Sequence, residues 1–193
     1  MAADRIPAMT SLSGTAYESS RKKLNEVLQA LCDCGIEQVI PMPKIVVIGN
    51  QSAGKSSLIE AISQIKVPRA QGTCTRCPTE VRLRRGDPTS WKCEVSLRYE
   101  HCEVTGQILQ SNLKFGKTNS KEEVSGLLRR AQLAILNPRK PLTDFFELTE
   151  EECYKHDRGI GFSKNTVVLD ITGAEVDVTF MDLPGIIQNT EKV

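Results

Sequence analysis

Residues 44–65 read KIVVIGNQSAGKSSLIEAISQI. The run Lys44–Ile48 is short, apolar after its first residue and rich in β-branched side chains. That composition predicts a strand buried on both faces, as in a parallel sheet. Beyond Ser56, the residues Leu58, Ile59, Ala61, Ile62 and Ile65 recur at helical spacing, which predicts a helix over 56–65. Between the two lies Gly49-Asn50-Gln51-Ser52-Ala53-Gly54-Lys55-Ser56, a match to GxxxxGK[ST]. A strand running in and an amphipathic helix running out are the context this motif requires. Small residues let backbone N–H groups turn inward around a phosphate, and the new helix adds the positive end of its dipole. Lys55 is placed to reach β and γ phosphates, and Ser56 offers a hydroxyl to Mg²⁺. A glycine-rich turn that binds nothing would explain the glycines but not the Lys-Ser pair.

Such a loop needs an acidic partner at the end of a neighbouring strand. Val178-Thr179-Phe180-Met181-Asp182-Leu183-Pro184-Gly185 supplies one. Asp182 ends the apolar run, and Gly185 follows at DxxG spacing with a backbone N–H available to a γ phosphate. Alone, Asp-Leu-Pro-Gly is an ordinary turn; beside the loop it is the expected counterpart. A nucleotide switch also needs a segment that orders around γ phosphate and metal. Residues 68–78, PRAQGTCTRCP, are placed for that role. Thr75 is the candidate hydroxyl, with Thr73 and Thr79 as competitors. Many small nucleotide hydrolases place a water-orienting glutamine directly after DxxG. Here that residue is Ile186, which cannot hydrogen-bond water.

The rest of the chain reads as punctuation and packing. Residues 1–14 are small and polar and read as a flexible start. Thr15-Ala16-Tyr17-Glu18 fits a capping box, and Leu24, Val27, Leu28 and Leu31 predict a helix over 16–34. Residues 15–40 form this helix and a linker, and 41–193 the main domain. Residues 80–85 and 93–99 alternate apolar and polar around Gly86-Asp87-Pro88, which predicts an antiparallel hairpin. Residues 100–119 carry no decisive pattern. Ser120-Lys121-Glu122-Glu123 is another capping box, opening a helix with Val124, Leu127, Leu128, Ala131 and Ile135 on one face. Residues 138–163 read as loop, and 166–171 and 175–181 as strands joined by Thr172-Gly173-Ala174. The fold class is therefore α/β: an incomplete, mostly parallel sheet of P-loop NTPase type, with flanking helices and one antiparallel hairpin.

Composition narrows the function. The 193 residues are 39% hydrophobic and 25% charged, with a net charge of +1, so nothing suggests nucleic acid as a partner. Arg82, Arg84 and Arg85, and Arg129 and Arg130, read as solvated basic clusters. The 7 cysteines form no framework. Cys74 and Cys77 have CxxC spacing but lack the strand–helix setting of a redox pair and the second ligand pair of a zinc site. Reduced, mostly buried thiols are expected. No apolar run approaches the roughly 20 residues of a bilayer span, and the first residues lack a signal-peptide core. A cytoplasmic location, with peripheral attachment at membranes left open, is the expectation.

Gln51-Ser52-Ala53-Gly54-Lys55-Ser56-Ser57, Pro68-Arg69, Gly72-x-x-Thr75-Arg76-x-Pro78 and Asp182-Leu183-Pro184-Gly185 together resemble the dynamin superfamily of large GTPases. Thr75-Arg76-Cys77-Pro78 is most similar to its Mx and dynamin-like branch. The resemblance covers residues 44–83 and 166–189. It implies that Gly49, Asn50, Gln51, Ser52, Ala53, Gly54, Lys55, Ser56, Ser57, Arg69, Gly72, Asp182 and Gly185 hold GTP or GDP. Ser56, Thr75 and Asp182 would serve Mg²⁺, and Ser52, Lys55 and Thr75 would be catalytic. Ser52 would help hold a monovalent cation, K⁺ or Na⁺, in place of an arginine finger. Gln51 would sit near the contact between two G domains, whose self-association speeds hydrolysis. Ala70 departs from the family's Arg-Gly-x-Gly and puts the cation in question, since alanine resists positive φ.

Guanine recognition also rests on the resemblance. No [NT]KxD follows Asp182, and Tyr154-Lys155-His156-Asp157 precedes the DxxG turn and follows no strand. The chain is expected to be the N-terminal part of a G domain. Membrane, microtubule or other cytoskeletal contacts would then come from regions outside these residues. The competing expectation is a non-catalytic remnant that binds nucleotide weakly or serves only as an interaction module.

Overall fold

A computed structural model describes residues 44–50, 53–66, 75–155 and 159–185, together with 19, 20, 23, 24 and 27. The chain divides into one unit of residues 1–43 and another of residues 44–193. The five described residues of the first unit are helical. The rest of the helix predicted over 16–34, and the start over 1–14, lie outside the described residues.

The described strands form a mixed sheet. Strand β1 is Ile45–Val47, β2 Thr79–Arg85, β3 Lys92–His101, β4 Ile108–Thr118, β5 Thr166–Ala174 and β6 Val178–Asp182. Their spatial order is β1-β6-β2-β5-β3-β4. Pairs β1–β6 and β2–β5 are parallel. Pairs β2–β6, β3–β5 and β3–β4 are antiparallel. The α/β class holds, while the pairings are more antiparallel than a mostly parallel sheet would have.

The hairpin predicted from β2 to β3 does not form. Strand β5 lies between them, parallel to β2 and antiparallel to β3. The cause is apolarity. Strand β5 buries Val167, Val168, Leu169 and Ile171, so it gains most in the sheet interior, where both faces and both edges are covered. Val81 and Leu83 of β2 and Cys93, Val95 and Leu97 of β3 are buried beside it. The connection from β2 to β3 contains a short 3₁₀ turn at Pro88–Ser90, opened by the Asp87 carboxylate accepting from the Thr89 N–H at 2.9 Å.

The antiparallel hairpin lies instead between β3 and β4. Its turn is closed by the Cys102 N–H donating to the Gln107 carbonyl at 2.8 Å and the Gly106 N–H to the Cys102 carbonyl at 2.7 Å. Strand β4 borders solvent on one side and carries a polar sequence, so the apolar-pattern signal across 100–119 is weak.

Helix α1 is Lys55–Ser63, α2 is Val124–Leu136 and α3 is Glu150–Lys155. All five residues read as the apolar face of α2 are buried, with Leu133, Ala134 and Leu136 added to them. The helix packs on β3 and β5. Its capping box does not close reciprocally: the Ser120 hydroxyl donates to Glu122, and Glu123 accepts from Thr118 instead. Residues 138–163 are not all loop. They contain a 3₁₀ turn at Leu142–Phe145, with Phe145 fully buried, and α3. A true capping box starts α3. The Glu152 carboxylate accepts from the Thr149 N–H at 2.8 Å, and the Glu152 N–H donates to the Thr149 hydroxyl at 3.3 Å.

Strand β5 runs through Thr172-Gly173-Ala174, so the turn into β6 falls at residues 175–177. Strand β1 borders the described sheet on one side only, and Ile45 and Val46 are 52% and 48% exposed, contrary to burial on both faces. In α1, Ile59 is buried against the sheet side while Leu58 and Ile62 are exposed. The opposite sheet face carries charge. Glu80 is fully buried and accepts from Lys44 at 2.9 Å, Arg82 at 2.8 Å and Arg98 at 2.7 Å. Arg84 pairs with Asp170 at 2.8 Å. Arg82 and Arg84 are thus ion-paired rather than merely solvated.

Candidate functional site

Parallel pairing of β1 with β6 sets Val47 beside Asp182. The loop after β1 and the carboxylate ending β6 therefore meet at one end of the sheet, where ligands of open α/β folds collect. The loop turns into α1 at Gly54, whose φ of 87° is left-handed and suits glycine. The Leu58 N–H donates to the Gly54 carbonyl at 3.0 Å, closing the first helical turn. The Lys55 ammonium donates to the carbonyls of Gly49 at 3.0 Å and Asn50 at 2.9 Å, so it spans the loop. Ala53 and Ser57 are exposed on the loop and the first turn.

Asp182 is the centre. The Ser56 hydroxyl donates to its Oδ2 at 3.3 Å, and the Thr75 hydroxyl donates to the same oxygen at 3.2 Å. Asp182 is only 2% exposed, and its Oδ1 has no hydrogen-bond partner among the described residues. Burial pushes the Asp182 carboxyl above the usual carboxylate value; the Thr75 bond, the Lys55 charge and the Ser56 bond offset part of that rise. Two hydroxyls and a buried carboxylate with one oxygen unpaired fit a hard divalent cation that takes oxygen ligands.

Thr79, a competing threonine, sits directly opposite Asp182 in the β2–β6 register, buried with no partner for its hydroxyl among the described residues. Thr73 lies outside the described residues, as do Gln51, Ser52, Arg69, Ala70 and Gly72. Gly185 is buried three residues beyond Asp182. Tyr154 and Lys155 belong to α3 and not to a strand end.

Two neighbours of the site, Cys77 and Arg76, enter the sequence only as members of a CxxC spacing and of Thr75-Arg76-Cys77-Pro78. Cys77 is fully buried, and burial pushes its thiol up to about 12, with Arg76 opposing and Asp182 adding to the rise. It is a neutral wall. Cys93 is held at about 12 by burial as well. Arg76 reaches away from the site, donating to the carbonyls of Gly161 at 2.9 Å and of Ile160. Only the pairing of Thr75 with an arginine on sequence could have drawn attention to it. Among the described residues, no cluster of three His, Cys, Asp or Glu side chains could hold a metal, and no helix is long and apolar enough to cross a membrane.

Comparison with known proteins agrees with this geometry. The chain is 33% identical over 171 residues to an interferon-induced GTP-binding protein Mx2 of Bos taurus, covering 88% of this chain and 19% of that protein. It is 29% identical over 180 residues to an interferon-induced GTP-binding protein Mx of Solea senegalensis, covering 92% and 23%. The chain thus spans about a fifth of the length of these relatives. The family model described as the Dynamin family matches residues 45–193, which include the loop, Thr75 and Asp182. With a match over most of its length and the three side chains gathered as that fold requires, the chain belongs to the dynamin family.

Proposed function

We infer that the chain binds GTP or GDP with Mg²⁺ on the loop between β1 and α1 and hydrolyses GTP at its terminal phosphoanhydride. The observation that carries this reading is the meeting of Ser56, Thr75 and Asp182 beside Lys55. Relatives named as GTP-binding support the choice of base. Backbone N–H groups from Gly49 to Ser57 cradle the phosphates, and Lys55 neutralises the β and γ oxygens. When bound, Mg²⁺ would supply charge stabilisation at the phosphate oxygens. Ser56, Thr75 and Asp182 would hold it, Thr75 would orient the water, and the Gly185 N–H would meet the γ phosphate. Ser52, with a K⁺ or Na⁺ ion, would take the part that an arginine finger plays in other hydrolases, and Arg69 and Gly72 would help hold the nucleotide.

Pairing of two such domains near Gln51 speeds turnover. We place the protein in the cytoplasm, with membrane or cytoskeletal contact assigned to parts of such proteins outside the matched span. Membrane remodelling is the corresponding role of the whole protein.

One observation favours a second reading, a remnant that holds nucleotide weakly and does not turn it over. Ile45, Val46, Ile48, Leu58 and Ile62 are exposed around the loop, and an apolar flank of this kind loosens the segment that must cradle phosphate. Phosphate release separates the two. Turnover per molecule should rise with protein concentration, and Lys55→Ala should abolish it. A flat background rate, with no binding of a fluorescent guanine nucleotide in Mg²⁺, would establish the remnant. ATP outcompeting GTP would reassign the base.

A further inference from the structure

We propose that the turn Gly159–Ser163 is a positioning brace for Thr75, acting through Arg76 and anchored on the end of helix α2. The proposal rests on the hydrolase reading above and names a device within that site.

Thr75 sits at the edge of the described chain, and its hydroxyl must reach Asp182. The next residue is held on two sides by one short segment. The Arg76 guanidinium donates from Nε to the Gly161 carbonyl at 2.9 Å and from Nη2 to the Ile160 carbonyl. The Arg76 carbonyl in turn accepts from the Ser163 N–H at 3.0 Å. A planar guanidinium bridging two successive carbonyls fixes direction as well as distance, which an ammonium cannot do. Four residues on, the Val167 N–H donates to the Pro78 carbonyl at 3.0 Å, so the clamp runs into the β2–β5 pairing.

The brace has its own footing. The Ile160 N–H donates to the Leu136 carbonyl at 2.8 Å, satisfying an end group of α2. Gly159 makes this possible. Its φ is +61°, and a Cβ there would lie 1.9 Å from the Leu136 oxygen and 2.7 Å from the Leu136 carbonyl carbon. Those are backbone atoms of a buried helix end and cannot swing away. Any side chain at 159 lifts the turn off α2 and moves the two carbonyls that grip Arg76. Thr75 is thereby referred, through Arg76 and the turn, to a helix 13 residues long. Placement errors of about 1 Å can cost a reaction roughly 100-fold, so the rate should register the brace even where nucleotide binding does not.

The test uses the full 193-residue chain with Gly159→Ala, Arg76→Lys and the double variant. In nucleotide-free protein, hydrogen exchange at Ser163 and Cys77 should quicken by about tenfold or more in each variant, while Val95 and Leu97 in mid-sheet keep their rates. With GTP and Mg²⁺, kcat should fall roughly 10- to 100-fold, with KM and the Kd of a fluorescent guanine nucleotide within about twofold. The double variant should be no worse than the poorer single one, since both break one linkage. Unchanged exchange at Ser163 and Cys77, or acceleration spread evenly through the sheet in both single variants, overturns the brace. Loss of nucleotide affinity in step with kcat overturns it too. If the unaltered chain neither binds nor hydrolyses GTP, the hydrolase reading fails, and the exchange rates still decide the brace.

Discussion

The Ser56 hydroxyl donates to Asp182 Oδ2 at 3.3 Å, across 126 positions of chain. One residue lies in the first turn of a helix and the other ends a strand, and the parallel pairing of β1 with β6 brings them together. The oxygen they share also receives the Thr75 hydroxyl, so a residue in the loop, one in the helix and one in the strand converge on a single buried acid.

That acid is held against its preference. Burial raises the Asp182 carboxyl above its ordinary value, so the fold takes up a proton more readily than the unfolded chain does. The resulting stabilisation is present at low pH and is lost as pH rises through the raised value. At neutral pH the ionised group costs stability in the absence of a cation. Asp182→Asn should therefore melt a few degrees higher than the unaltered protein without Mg²⁺, while hydrolysis falls by about 100-fold or more. Scanning fluorimetry beside phosphate release checks both. Mg²⁺ affinity should weaken as pH falls through the same raised value, because protons compete for the carboxylate.

Gly54 occupies a left-handed conformation at φ 87°. Gly54→Ala should cost about 1 kcal/mol of stability, the penalty for an L side chain there, and should weaken nucleotide binding by roughly tenfold or more by reshaping the loop. Denaturant melts and nucleotide titration measure the two separately. Preserved affinity would mean that the loop turn does not set the site.

Glu80 stabilises the other face of the sheet. Burial alone would raise its carboxyl, but Arg82 and Arg98 beside it, with bonds from Lys44 and Arg98, bring it down to about 2. The stabilisation is present above the ordinary value of 4.5 and fades as pH falls towards 2. Glu80→Gln leaves three cations short of a partner charge and should destabilise the protein by about 3 kcal/mol at pH 7. The gap between the two proteins should shrink in urea melts run near pH 3.

Among the four described cysteines, Cys77, Cys93 and Cys153 are buried and their thiols are raised. Cys102 is partly exposed, and hydrogen bonds from Thr105 and from the Val104 backbone lower it. Iodoacetamide at mildly alkaline pH should modify Cys102 at least about tenfold faster than the other three. Peptide mass spectrometry resolves the sites. Faster labelling of Cys77 would mean that the wall beside Asp182 opens.

The site was legible because its chemistry is local. Gly54-Lys55-Ser56 and Asp182 are each recognisable within a few residues, and the one long-range fact needed, that their strands adjoin, comes with the motif. The choice of Thr75 over Thr79 was less legible. Both lie close to Asp182, and which hydroxyl points to it depends on the β2–β6 register. Helix α2 was legible because its apolar stripe has a period that no strand shares. The β2–β3 connection misled because alternation flags a strand without naming its neighbour, and Gly86-Asp87-Pro88 suits a tight turn and a wider one alike. Helix α3 was missed although Thr149-Glu150-Glu151-Glu152 carries a capping box, since a helix of 6 residues shows almost no period.

Placing β5 between β2 and β3 also sets an order of assembly. The seam that joins the two halves of the sheet is supplied by residues 166–174, synthesised more than 60 positions after β3 ends. Until they emerge from the ribosome, β2 and the β3–β4 pair are separate pieces with unmatched backbone edges facing each other. Pairings so distant in the chain form slowly. The nascent chain therefore passes through a stage in which those edges must be shielded from other chains.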